Sequence, residues 1–94
     1  GSQVFGIGRP VEQVAAPVYP NPARHGFTAD LSRFSQEKPV VIHLYNQEGR
    51  LICMITSGSG DGRIEIGTGI LPPGLYLLKA VQDNLEAVSR VIVR

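Results

Sequence analysis

The 94-residue sequence has no tryptophan, one cysteine, one methionine, three tyrosines and three phenylalanines. So few aromatic rings make a stacking platform for bases or sugars hard to assemble. A lone cysteine excludes an intramolecular disulfide. Cys53 lies in Leu51-Ile52-Cys53-Met54-Ile55, where it reads as a small buried hydrophobe, with no basic or imidazole neighbour to activate a thiol. Charge is also scarce. Nine Lys/Arg stand against eight Asp/Glu for a net charge of +1, and no block of one sign occurs. Arg9, Arg24, Arg33, Lys38 and Arg50 are scattered through different local contexts. They form no stripe for a phosphate backbone, so a nucleic acid partner is not expected. No apolar run is long enough for a membrane-spanning helix, so membrane insertion is not expected, and no N-terminal signal peptide is visible.

Catalytic and metal-binding constellations are missing as well. His25 and His43 are the two imidazoles, and neither is placed by sequence beside a nucleophile and an orienting acid. Two histidines and one cysteine, far apart, do not match a spaced metal-ligand motif. The glycine-rich run 58–62 lacks the lysine and the following helix of a phosphate loop, and Asp61 stands alone where a calcium loop needs several ligands. The expectation is a non-enzyme without a cofactor.

What the sequence does have is turn chemistry. Eleven glycines and seven prolines separate short apolar runs, which favours many strands over a few helices. Extended runs are expected at 14–19, 27–31, 40–45, 50–56, 63–66, 74–81 and 87–93. The clearest is 40–45, where Val40, Ile42 and Leu44 alternate with Val41, His43 and Tyr45. Asn46-Gln47-Glu48-Gly49 reads as a hairpin connection with glycine available for positive φ, and Asp83-Asn84 marks another turn. The expected fold is all-β, a seven-stranded antiparallel immunoglobulin-like β-sandwich, preferred over a closed barrel because the strands are short. Residues 1–13 read as a tag scar (Gly1-Ser2) followed by a linker or loosely docked arm, and residues 14–94 as the domain. The expected core is Val40, Ile42, Leu44, Leu51, Cys53, Ile55, Ile64, Ile66, Leu75 and Leu77.

Two motifs are more specific. In Tyr19-Pro20-Asn21-Pro22 the prolines fix φ and push the residues before them toward extended geometry. In Leu71-Pro72-Pro73-Gly74-Leu75-Tyr76 stiff prolines precede a glycine that allows a sharp change of direction. Tyr76 then stands where an immunoglobulin-like domain can bond tyrosine hydroxyl to backbone at the sheet corner. Either motif alone has a structural explanation. Taken in order with Leu44-Tyr45-Asn46-Gln47-Glu48-Gly49-Arg50-Leu51 and the terminal Ser89-Arg90-Val91-Ile92-Val93-Arg94, they resemble the type A C-terminal sorting domain of the type IX secretion system of Bacteroidetes. The resemblance covers about residues 14–94.

That resemblance implies a secretion signal joined to the C-terminus of a larger cargo. The cargo would cross the periplasm, be recognised at the outer-membrane type IX translocon, and reach the cell surface or the medium. A sortase-type protease would remove the domain within or upstream of residues 1–13, with cargo released or attached to the surface. Signal function would map to Tyr19, Pro20, Asn21, Pro22, Gly49, Gly74, Tyr76 and the terminal Val91, Ile92, Val93 and Arg94. The last strand carries Arg90 and Arg94 where family members often have lysine, which keeps the charge but changes the hydrogen-bond geometry. One expected docking mode is pairing of a receptor with an exposed edge of the final strand. The alternative reading is an immunoglobulin-like accessory module that binds carbohydrate or protein at the cell surface.

Overall fold

A computed structural model of the chain describes residues 11–20, 23–58, 62–69 and 71–94. The described residues form eight strands: β1 (Glu12–Gln13), β2 (Val18–Tyr19), β3 (Gly26–Asp30), β4 (Val41–Asn46), β5 (Leu51–Thr56), β6 (Arg63–Gly67), β7 (Gly74–Gln82) and β8 (Leu85–Val93). They make a five-stranded sheet in the order β1-β8-β7-β4-β5 and a three-stranded sheet in the order β2-β3-β6. The all-β expectation holds, and the count is eight strands. Of the first strand expected at 14–19 only Val18–Tyr19 is a strand, and another short strand, Glu12–Gln13, precedes that range. β1 joins the large sheet and β2 the small one, and Val14, Ala15, Ala16 and Pro17 carry the chain between them. Pro17 offers no N–H to a ladder, which suits it to such a crossing.

The pairing is antiparallel except at β1, which runs parallel to β8 with Glu12 opposite Leu85 and Gln13 opposite Glu86. The Glu12 amide donates to Asn84 O at 2.8 Å and the Val14 amide to Glu86 O at 2.9 Å. β7 and β8 form the longest ladder, joined by a tight turn in which Asp83 takes φ 51°. Asp tolerates this left-handed geometry, which matches the twist of a two-residue hairpin.

The core lies between the sheets. Phe27, Ala29 and Ile66 come from the small sheet, and Ile42, Leu44, Tyr76, Leu78, Ala80, Ala87, Val91 and Val93 from the large one. Leu31, Phe34 and Val40 close one end. Full burial of a side chain such as Leu78 or Ile42 is worth roughly 1.5–3 kcal/mol. Val40, Ile42, Leu44 and Ile66 are buried as expected, and Cys53, Ile55 and Ile64 are partly buried against them. Three expected core residues are not there: Leu51, Leu75 and Leu77 lie exposed. Leu75 and Leu77 face outward because β7 turns Tyr76, Leu78 and Ala80 inward. Leu51 sits at a β-bulge, where pairing skips from Leu44–Cys53 to Tyr45–Leu51. The extra residue breaks the alternation on which the sequence reading of β5 rests.

Buried Gln82 fixes the loop before β4. Its side chain accepts from the Ser35 amide at 2.8 Å and donates to Ser35 O at 2.9 Å and Lys38 O at 3.1 Å. Three bonds satisfy an amide that would otherwise be costly to bury. Ser57 does the same for Val40, accepting its amide at 3.0 Å while donating its own amide to Val40 O at 2.9 Å.

Candidate functional site

The sheet registers bring the separated motifs to one end of the sandwich. Gly74 pairs with Val93, and Tyr76 pairs with both Val91 and Asn46. The connection after β4 therefore sits beside the start of β7 and the end of β8. Residues Asn46, Gln47, Glu48, Pro72, Pro73, Gly74, Leu75 and Tyr76 line one shallow concavity there.

Each piece is built locally. In the turn after β4, the Asn46 carboxamide oxygen accepts from the Glu48 amide at 3.0 Å and the Arg50 amide at 2.9 Å. Gly49 has φ 84°, the left-handed geometry for which glycine carries no Cβ penalty. Gly74 has φ 155°, a region almost exclusive to glycine, where the proline pair hands over to β7. Tyr76 is buried, and its hydroxyl donates to Pro72 O at 2.6 Å. This is the expected corner bond, closed over four residues.

The first motif arrives from the small sheet. Tyr19 pairs with Thr28 on β3, and its side chain is exposed. Pro20 follows through a cis peptide bond. Asn21 and Pro22 lie outside the described residues. Ala23, fully buried, then clips onto the end of β8: its amide donates to Ile92 O at 2.6 Å, and it accepts the Arg94 amide at 2.8 Å. The chain continues to His25, whose carbonyl accepts the Thr68 amide at 3.1 Å, and the Leu71 amide donates to Thr68 O at 2.9 Å. Thr68 is buried in this junction. Ala23 and Thr68 are positioning residues that the sequence reading passes over. Ala23 directly follows the proline motif, but nothing local marks its contact with β8, and nothing local marks Thr68.

The terminal strand presents itself differently from the expectation. Val91 and Val93 are buried in the core, so only Ile92 and Arg94 of the last four residues turn outward. The expected free edge of β8 is covered at both ends, by Glu12 to Val14 and by Ala23, and between them Ser89 Oγ donates to Ala16 O at 2.6 Å. The chain's own leading segment supplies the partners that a receptor strand would need. Across β1 and β8 the Glu86 carboxylate accepts from Gln13 Nε2 at 3.0 Å and meets Lys79 Nζ at 3.1 Å. The Gln13 hydrogen bond, and then Lys79, hold its pKa below the ordinary glutamate value.

The remaining residues weighed from sequence do not converge on chemistry. His43 stacks on Tyr45 with ring centroids 6.1 Å apart, across from Met54 and Lys79, while His25 is exposed near Pro20. Among the described residues no group of three His, Cys, Asp or Glu is placed to hold a metal ion, and no helix is long and apolar enough to cross a membrane.

Comparison with known proteins agrees with the family resemblance read from the sequence. No curated protein matches the chain. The family model described as the secretion system C-terminal sorting domain matches residues 17–94, from the crossing before β2 to the last residue of β8 and Arg94. Its members are sorting signals and not an enzyme family. The chain belongs to the C-terminal sorting domain family of the type IX secretion system, and the domain is a secretion signal that directs export to the cell surface or the medium.

Proposed function

We propose that the end of the sandwich built by Tyr19 and Pro20, the turn 46–49, Pro72 to Tyr76 and the outward Ile92 and Arg94 is the surface read by the outer-membrane type IX translocon. The observation that carries this is the double clip of Ala23 on β8, which locks the first motif to the last strand, beside Gly74. A portable signal needs a surface of fixed shape on unrelated cargo. Prolines, positive-φ glycines and a buried tyrosine hydroxyl lower the ordering cost of recognising it. In this reading the two sheets are an immunoglobulin-like sandwich with Tyr76 as its tyrosine corner. The domain has no catalytic activity of its own. It passes through the periplasm behind an N-terminally fused cargo. A sortase-type protease then cuts within or upstream of residues 1–13, and cargo is released or attached to the surface.

The test is a periplasmic reporter fused ahead of residues 1–94, in a strain with a working type IX system and in one lacking the translocon. Surface or medium reporter in the first strain alone is the expected result. Loss of export with Arg94→Glu and Ile92→Glu, in fusions that remain folded, maps recognition to this end. Export that is indifferent to both overturns the assignment of the site while leaving the sorting role standing.

A further inference from the structure

The two outward faces of the sandwich differ in kind. The small sheet shows solvent Tyr19, Thr28, Asp30, Arg63 and Glu65, which suits water. The outward face of the large sheet is largely apolar. Leu75 and Leu77 on β7, Val88 and Ile92 on β8, and Leu51, Ile52 and Met54 on β5 are all exposed, Met54 to 62% and Val88 to 53%. They account for seven of the nine large hydrophobic residues exposed among those described. The registers place Leu51 beside Tyr45, Tyr45 beside Leu77 and Leu75 beside Ile92, with Arg90 beside Leu77 and Lys79 between His43 and Val88 on the same face. β5 itself carries no charge and no proline, the usual protections of an edge strand.

From these exposures the apolar area is roughly 600 Å² per chain, at the upper end of what monomer surfaces show. Two such faces together come to about 1,200 Å², the lower bound of specific, stable interfaces. Charge does not oppose self-stacking. Lys79 and Glu86 compensate each other at 3.1 Å, and Arg90 is engaged within the chain. A two-fold contact sets one patch against its own copy, and this face would meet its own image in that way.

We propose that this domain self-associates through the outer face of its large sheet, each copy packing Leu51, Met54 and Leu77 against a second copy. The pair is a weak, two-fold dimer of stacked sheets. Its contact takes in Leu75 and Ile92, which also border the end proposed above as the recognition surface.

Sedimentation of the 94-residue chain from about 10 µM to about 1 mM, the weak range of specific association, tests this directly. The expected result is a concentration-dependent dimer. Leu77→Lys and Met54→Lys should each weaken it at least tenfold with an unchanged melting temperature, and Thr28→Lys on the small sheet should not. Leu77→Gln serves if Leu77→Lys disturbs folding. A chain that stays monomeric throughout overturns the proposal, leaving the face to a different partner or to residues 1–10 of the same chain. A dimer that survives Leu77→Lys but is lost in Met54→Pro also overturns it, because that pattern belongs to edge pairing through β5.

Discussion

Replacing Tyr76 by phenylalanine isolates one bond. The ring is buried between the sheets at 5% exposure and stays in place, so no cavity opens around it. What goes is the hydroxyl, which donates to Pro72 O at 2.6 Å. A buried hydrogen bond of this kind contributes a net 0.5–1.5 kcal/mol, and the desolvation penalty is larger when a carbonyl is stranded. Pro72 is exposed, so water can reach its carbonyl after the change. The loss should therefore be about 1 kcal/mol, which for a domain of this length lowers the midpoint by about 4–8 °C. Thermal unfolding followed by far-ultraviolet circular dichroism measures it, with Tyr45→Phe as the reference. The Tyr45 hydroxyl has no hydrogen-bond partner among the described residues, so that change should leave the midpoint nearly unaltered. A Tyr76→Phe midpoint within about 1 °C of the parent would remove the corner bond from the account of stability.

Two further outcomes are expected. Gly74→Val forces a β-branched side chain into φ 155° and should cost about 1–3 kcal/mol, read by chemical denaturation; an unchanged midpoint refutes the strain. Glu86 titrates below its ordinary value of 4.5 because Gln13 and Lys79 favour its charged form. A lowered folded pKa gives stability that is fully present above the unfolded value and is lost as pH falls through the folded one. The tie between β1 and β8 should therefore hold at neutral pH and loosen only below pH 4.5. Protection of the Val14 amide, relative to its intrinsic exchange rate at each pH, should fall in that acid range and be insensitive to it in Glu86→Gln; a carboxyl that titrates at or above 4.5 by NMR contradicts this.

The sequence exposes some of this fold more readily than the rest, for physical reasons. β4 is legible because Ile42 and Leu44 alternate with His43 and Tyr45, and the turn after it because Gly49 supplies the required φ. β7 is ambiguous because Leu75 and Leu77 are as apolar as Leu78. The choice of inward face depends on the Tyr76 bond and on Ala80, which the alternation does not reveal. The burial of Ala16, Ala23, Ala29, Ala80 and Ala87 is likewise set by how closely the sheets approach. At the candidate site, Gly49, Gly74 and Tyr76 are visible as turn and corner chemistry. The role of Ala23 is a long-range contact with Ile92 and Arg94, and no local pattern encodes it.

The direction of β1 has a mechanical consequence. Because it runs parallel to β8, with Glu12 beside Leu85, Val11 points away from Val93 and Arg94. The nine residues of β8 set these two points about 27 Å apart. With the recognition surface proposed above, a cargo hung ahead of Val11 and a receptor at the motif end would hold opposite poles of the domain. Tension between them runs along the strands. The β1–β8 hydrogen bonds, which join the two loaded strands, then carry the load side by side in shear, whereas a pull across the pair would open them one at a time.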